Sequence, residues 1–177
     1  MSTRWRPTFP PPRGVVAKAP GPGQESVWDY PRPPRVEAVS RRVVVRLGGG
    51  VVFDTSSPLR VLETSHPPTY YLPLAGAGPG ALREADGESF CEFKGQARYL
   101  DVVGPDGTVA AKAAWTYPDP DPQYAALVGH VALYPGLMQE VTLDGEPVAA
   151  QEGDFYGGWV TPEVVGPMKG GRGTWGW

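Results

Sequence analysis

Apolar and polar residues alternate in short blocks along most of the chain, and turn residues separate the blocks. Val43, Val45 and Leu47 alternate with Val44 and Arg46, three glycines follow (Gly48 to Gly50), and Val51, Val52 and Phe53 come next. Period-two alternation around a glycine turn predicts a hairpin. A three-residue loop pairs 47 with 51, 45 with 53 and 43 with 55, which sets Val43, Val45, Leu47, Val51 and Phe53 on one face. A strand is predicted over residues 59–63, with Leu59, Val61 and Glu63 on one face and Arg60 and Leu62 on the other. Pro67-Pro68 interrupts, and Thr69 to Leu72 resume a strand. Residues 75–88 read as loop, with at most one helical turn near Ala81–Ala85. Residues 91–103 alternate again, and Pro105-Asp106-Gly107 makes a three-residue turn. That turn pairs Ala97 with Trp115, Gly95 with Tyr117 and Tyr99 with Ala113. His130–Tyr134 is a further short strand, and Leu143-Asp144-Gly145-Glu146 is a two-residue hairpin turn that pairs Val141 with Val148.

Composition agrees with a turn-rich β protein. Gly (24) and Pro (22) make up about a quarter of the 177 residues, a level hostile to helix interiors. Six Trp and an aromatic share of 11% supply core material that disordered chains lack. The expected fold is mostly β: one small antiparallel sheet or open barrel of about six to eight strands, with few or no helices. Residues 1–26 hold six prolines and read as an extended, disordered Pro/Arg-rich arm. Residues 27–177 form a single domain, and the terminal Trp175-Gly176-Trp177 is expected to pack on its body.

Charge is uneven. Residues 1–42 carry eight Arg or Lys against Glu25, Asp29 and Glu37, or +5, and the remainder carries −8. Such an arm is either solvated or folded back on its acidic body. It has no nucleic-acid reading motif, so nucleic acid is not expected as a partner. There is no apolar run long enough for a membrane span, no signal-peptide pattern, and one cysteine, Cys91. Together these point to a cytoplasmic protein with no membrane partner.

A set of motifs resembles a known family: Leu59-Arg60-Val61-Leu62-Glu63-Thr64, Tyr70-Tyr71-Leu72-Pro73, the run Cys91 to Tyr99 (CEFKGQARY), and Ala114-Trp115-Thr116-Tyr117-Pro118. They resemble, in order over residues 43–146, domain of unknown function family 427, sometimes labelled nucleotidyltransferase-like. Glu92 stands where that family usually has proline. Residues 147–177 look like the extension of its single-copy members. The resemblance implies a small β domain without an established reaction; its transferase label implies nucleotide chemistry.

The residues themselves give that label little support. Metal-dependent nucleotidyl transfer needs clustered carboxylates, and the closest pair, Asp119 and Asp121, sits in a stiff Pro-Asp-Pro-Asp-Pro loop. His66, His130 and Cys91 lack zinc-site spacing. No metal site and no cofactor is read. Ser65 and His66 are neighbours that an extended chain points apart. Cys91 is either a nucleophile or a small apolar residue. Glu63 is the most informative position, because its face is the apolar one, and a buried carboxylate needs a partner or a proton. Arg60 and Lys94 are candidate partners on the opposite face, and a bulge at Gly95 would re-aim the lysine. Tyr71, Tyr99, Trp115 and Tyr117 could line the same hollow. Three functions stay open. A pocket of Arg60, Glu63, Tyr71, Cys91, Lys94, Tyr99, Trp115 and Tyr117 binds an unknown small molecule. Alternatively, Glu63 and Lys94 serve an enzyme as catalytic groups, Glu63 being the acid–base residue, on an anionic, nucleotide-like substrate. Thirdly, the arm docks a partner without catalysis. A cavity holding Glu63 with a raised pKa would favour the enzyme; one lined by rings around a neutralised Glu63, binding; a filled core, the scaffold.

Overall fold

The computed structural model describes residues 4–153 and 155–177. Strands dominate: β1 (Glu25–Ser26), β2 (Arg35–Ala38), β3 (Val43–Leu47), β4 (Gly50–Thr55), β5 (Leu59–Leu62), β6 (Thr69–Pro73), β7 (Leu82–Cys91) and β8 (Gly95–Val103). After them come β9 (Val109–Thr116), β10 (His130–Leu133), β11 (Glu140–Leu143), β12 (Glu146–Pro147), β13 (Ala149–Ala150), β14 (Trp159–Val160) and β15 (Val164–Val165). Helical structure among the described residues is limited to 3-10 segments such as Pro122–Leu127. No described helix is long and apolar enough to cross a membrane.

Seven strands form one antiparallel sheet in the order β2-β5-β6-β10-β9-β8-β7, and β12-β11-β3-β4 form a second of four. The pairs β1·β15 and β13·β14 stand apart, and no barrel closes among the described residues. The large sheet is covered on both faces, which successive side chains of its strands reach alternately. Tyr70 and Leu72 of β6 and Val131 and Leu133 of β10 bury one face against Val43, Val45 and Phe53 of the second sheet. Tyr71 and Ala132, the residues between, join Val61, Trp115 and Tyr117 on the other face.

Three local departures from simple alternation move side chains. In the β3–β4 hairpin Val43 pairs with Thr55 and Val45 with Phe53, as expected, but Leu47 pairs with Gly50. The turn is therefore two residues long, and the slack is taken up by a bulge beyond Val45. The extra residue sends Val52 inward and leaves Val51 exposed, a correction to the predicted inner face. Residues 82–91 form an edge strand interrupted by a bulge between Glu84 and Glu88, a correction to the loop expected through residue 88. In the β8–β9 hairpin the predicted register holds at Val103–Val109 and then slips, so that Tyr99, not Ala97, faces Trp115. The slip occurs at Lys112, whose φ is +49° and whose N–H donates to Asp101 Oδ1 at 2.9 Å.

The arm has no helix or strand through residues 4–24, and backbone hydrogen bonds tie it to the rest of the chain. Phe9 N–H donates to the Trp28 carbonyl and Lys18 N–H to that of Gly166, each at 2.8 Å. Trp177 packs on Trp28 with ring centroids 5.7 Å apart, while Trp175 is exposed.

Candidate functional site

Strand register assembles a transverse row on the second face of the large sheet. Leu59 pairs with Tyr71, Tyr71 with Ala132, Ala132 with Trp115, and Trp115 with Tyr99. Directly paired residues on adjacent strands project to the same side. Across the small Ala132, the rings of Tyr71 and Trp115 meet edge to face with centroids 6.5 Å apart. Trp115 Nε1–H donates to Tyr71 Oη at 3.4 Å. Tyr134 adds a third ring, 4.7 Å from Trp115. The result is a cavity of about 290 Å³.

Glu63 enters this cavity on the face it shares with Val61, one residue past the end of β5. The chain then turns: Ser65 adopts a φ of +73°, and His66 N–H donates to the Glu63 carbonyl at 3.0 Å. The turn brings the imidazole back beside the carboxylate, with His66 Nε2 3.0 Å from Glu63 Oε2. A second side chain fixes the ring. Gln151 Oε1 accepts from Gly158 N–H at 3.1 Å, and Nε2 donates to the Lys169 carbonyl at 2.7 Å. Its amide group is thus oriented, and Nε2 lies 3.1 Å from His66 Nδ1. Nδ1 must accept from it, which leaves the ring hydrogen on Nε2 to be donated to Glu63.

Burial pushes the Glu63 pKa up, but the His66 hydrogen bond and the charges of Lys94 and Arg32 outweigh it, so the carboxyl sits below its ordinary value of 4.5. Arg32 Nη2 lies 3.5 Å from Glu63 Oε2 and donates to the Thr64 carbonyl at 2.9 Å. Glu63 is therefore an ion-paired carboxylate. A group with a depressed folded pKa contributes stability above its unfolded value and loses it as pH falls through the folded one. Melting temperatures measured by calorimetry should fall more steeply below about pH 4.5 for the natural chain than for Glu63→Gln. Parallel curves would show that the carboxylate contributes nothing to folding.

Lys94 lies in the three-residue turn joining β7 to β8, closed where Cys91 pairs with Gly95. Gly95 has a φ of +99°, a conformation a side chain resists, and the turn re-aims Lys94 toward the cavity. The Lys94 carbonyl accepts from Asp121 N–H at 3.0 Å, and its Nζ sits 5.8 Å from the Tyr117 ring centroid. Cys91, half-buried, lines the same wall. Burial raises the phenol pKa of Tyr71 and Tyr117, and pushes that of Tyr134 up to about 12. All three therefore present O–H groups at neutral pH.

The structure thus brings together Glu63, Tyr71, Cys91, Lys94, Tyr99, Trp115 and Tyr117. Arg60 is the correction. Its side chain leaves the opposite face of β5 and pairs with Glu25 and Glu37, so it is no part of the cavity. Its expected role beside Glu63 is taken by Arg32 and His66. Other cavity residues escaped the sequence reading altogether: Tyr134, Gln151, Phe155, Tyr156 and Lys169. All but Tyr134 come from residues 147–177, where no strand is longer than two residues and no periodicity gives a signal.

No curated protein matches the chain. A family described as Domain of unknown function (DUF427) matches residues 35–144. That segment contains the whole large sheet and the aromatic row, whereas Gln151, Tyr156 and Lys169 lie beyond it. With more than half its length matched in this way, the chain belongs to the DUF427 family.

Proposed function

We propose that the protein binds a small molecule in the cavity between Glu63, Lys94 and the aromatic row. The observation that carries this reading is a cavity lined by Tyr71, Trp115 and Tyr134, with a hydrogen-bonded chain of Glu63, His66 and Gln151 fixed along its side. Apolar walls with a few oriented polar groups are the usual make-up of ligand sites. Acid–base catalysis by Glu63 is the weaker reading, because a carboxylate with a lowered pKa is a poor proton acceptor and holds no proton to give. A filled core would have favoured a scaffold, and a cavity stands there instead.

Cys91 is the chain's single cysteine, so alkylation can plug this cavity selectively. A panel of ring-bearing fragments screened by ligand-detected NMR should give hits on the untreated protein. Those hits should vanish after Cys91 reacts with N-ethylmaleimide. Fragments that bind equally well after alkylation, or a panel with no hits at all, would remove the basis of the proposal.

A further inference from the structure

We infer that the ligand is a planar aromatic molecule carrying an anionic group, carboxylate or phosphate, with the anion held by Lys94 and the ring lodged among Tyr71, Trp115 and Tyr134. This inference deepens the small-molecule reading above and rests on it.

Rings around a carboxylate could equally make a cage for a cation, so charge decides between the two. The one carboxylate well inside the cavity, Glu63, is already engaged by Arg32 and by His66. Two of the rings already carry ammonium groups: Lys94 Nζ stands over Tyr117 at 5.8 Å, and Lys169 Nζ over Tyr156 at 5.6 Å. An incoming cation would meet both like charges in the same cavity. Lys94, by contrast, forms no ion pair among the described residues, whereas Lys169 Nζ also donates to the Trp177 carbonyl at 3.1 Å. Glu92, on the rim beside Lys94, is exposed to water, where its field is screened. With Glu63 neutralised, the interior is left with two cations and buried phenol hydroxyls able to donate. Those are the groups an anion requires.

The ring half of the inference comes from the walls. Tyr71, Trp115 and Tyr134 present tilted and perpendicular planes, the arrangements in which aromatic groups attract one another. A volume of about 290 Å³ is at the small end for ligand sites and suits one or two fused rings. Phe90 and Phe155, both exposed, flank the cavity from β7 and from the C-terminal segment. They extend its apolar surface to the mouth.

The test is titration of the full chain, followed by tryptophan fluorescence and calorimetry, with four probes: 2-naphthoate, 2-naphthyl phosphate, 2-naphthylmethylamine and cyclohexanecarboxylate. One or both naphthyl anions should bind at least about tenfold more tightly than the amine and the non-aromatic acid, and the tighter of the two identifies carboxylate or phosphate. Lys94→Gln should weaken the anions by about tenfold or more, Lys94→Arg should restore most of that loss, and added salt should weaken binding in the natural chain. An amine that binds as tightly as the anions would overturn the ligand class while leaving a small-molecule site in place. So would anion affinity untouched by Lys94→Gln. If none of the four probes binds, the ligand class falls; if the fragment panel is silent as well, the binding site falls with it.

Discussion

Gly157→Ala is expected to lower the melting temperature by about 5 °C and to distort the cavity, although the change adds a single methyl group. Gly157 lies in the C-terminal segment where it crosses Trp115. A Cβ there would fall inside van der Waals contact with Cη2 of the indole and only 3.0 Å from Cζ3. The indole is held on two sides. Tyr71 meets it edge to face, Tyr134 lies 4.7 Å from it on another side, and its Nε1–H is bonded to Tyr71 Oη. Overpacking of this kind costs about 1–3 kcal/mol. Thermal melts of four variants decide the matter: Gly157→Ala, Gly176→Ala, Trp115→Phe and the double variant at 115 and 157. Gly176→Ala, where a Cβ meets nothing within 4 Å, should leave the melt unchanged. Trp115→Phe shortens the ring that is struck, so the double variant should lose less than the sum of the two single losses. Strict additivity would mean that the segment does not press on the indole.

That contact also marks the boundary of what the sequence could say. Alternation read along one strand places side chains on a face reliably, because the period of two is fixed by backbone geometry. Val61 and Glu63 were matched to one face on that basis, and both reach the cavity. The turn at Asp144-Gly145 was legible from its residues alone, and Leu143 pairs with Glu146 as expected. Register across strands was harder, because a bulge depends on partners from other parts of the chain. The slip that sets Tyr99 opposite Trp115 is stabilised by Asp101 accepting from Lys112 N–H, a bond between strands that neither strand announces. The edge strand at residues 82–91 was missed for a related reason. Its burial is slight, and it is held by backbone pairing and by surface contacts such as Arg83 with Asp101 and Gln96 with Glu88. Charged positions are common on edge strands because they discourage pairing with other chains, and they erase the apolar alternation. Part of the site was illegible outright, since Gln151 and Tyr156, which contact His66, come from a segment with neither periodicity nor motif.

Arg60→Met is expected to be among the most destabilising single changes outside the core, and its deficit should shrink in high salt. The guanidinium spans Glu25 in β1 and Glu37 in β2, and Tyr30 Oη–H donates to Glu25 Oε1 at 2.8 Å. It therefore ties three separate pieces of chain to β5, including the last residues of the arm. Only 18% of the Arg60 side chain is exposed, against 37% and 33% for the two carboxylates. Removing the cation leaves two like charges facing each other with partial access to water. Breaking a fully buried pair costs about 3–5 kcal/mol; this much exposure to solvent brings the figure down to about 1–3 kcal/mol. The sign of the salt effect follows from which groups are left. Without the guanidinium, Glu25 and Glu37 repel each other, with Arg35 still 3.7 Å from Glu37; added salt screens that repulsion in the variant and the ion pairs in the natural chain. The gap between natural chain and variant in urea midpoint should therefore narrow as ionic strength rises from about 0.01 M to about 1 M. Methionine largely preserves the packing of the arginine stem, so a gap that salt leaves unchanged would mean that the loss does not come from charge, and the charge bridge would then not be what holds β1 and β2 to the sheet.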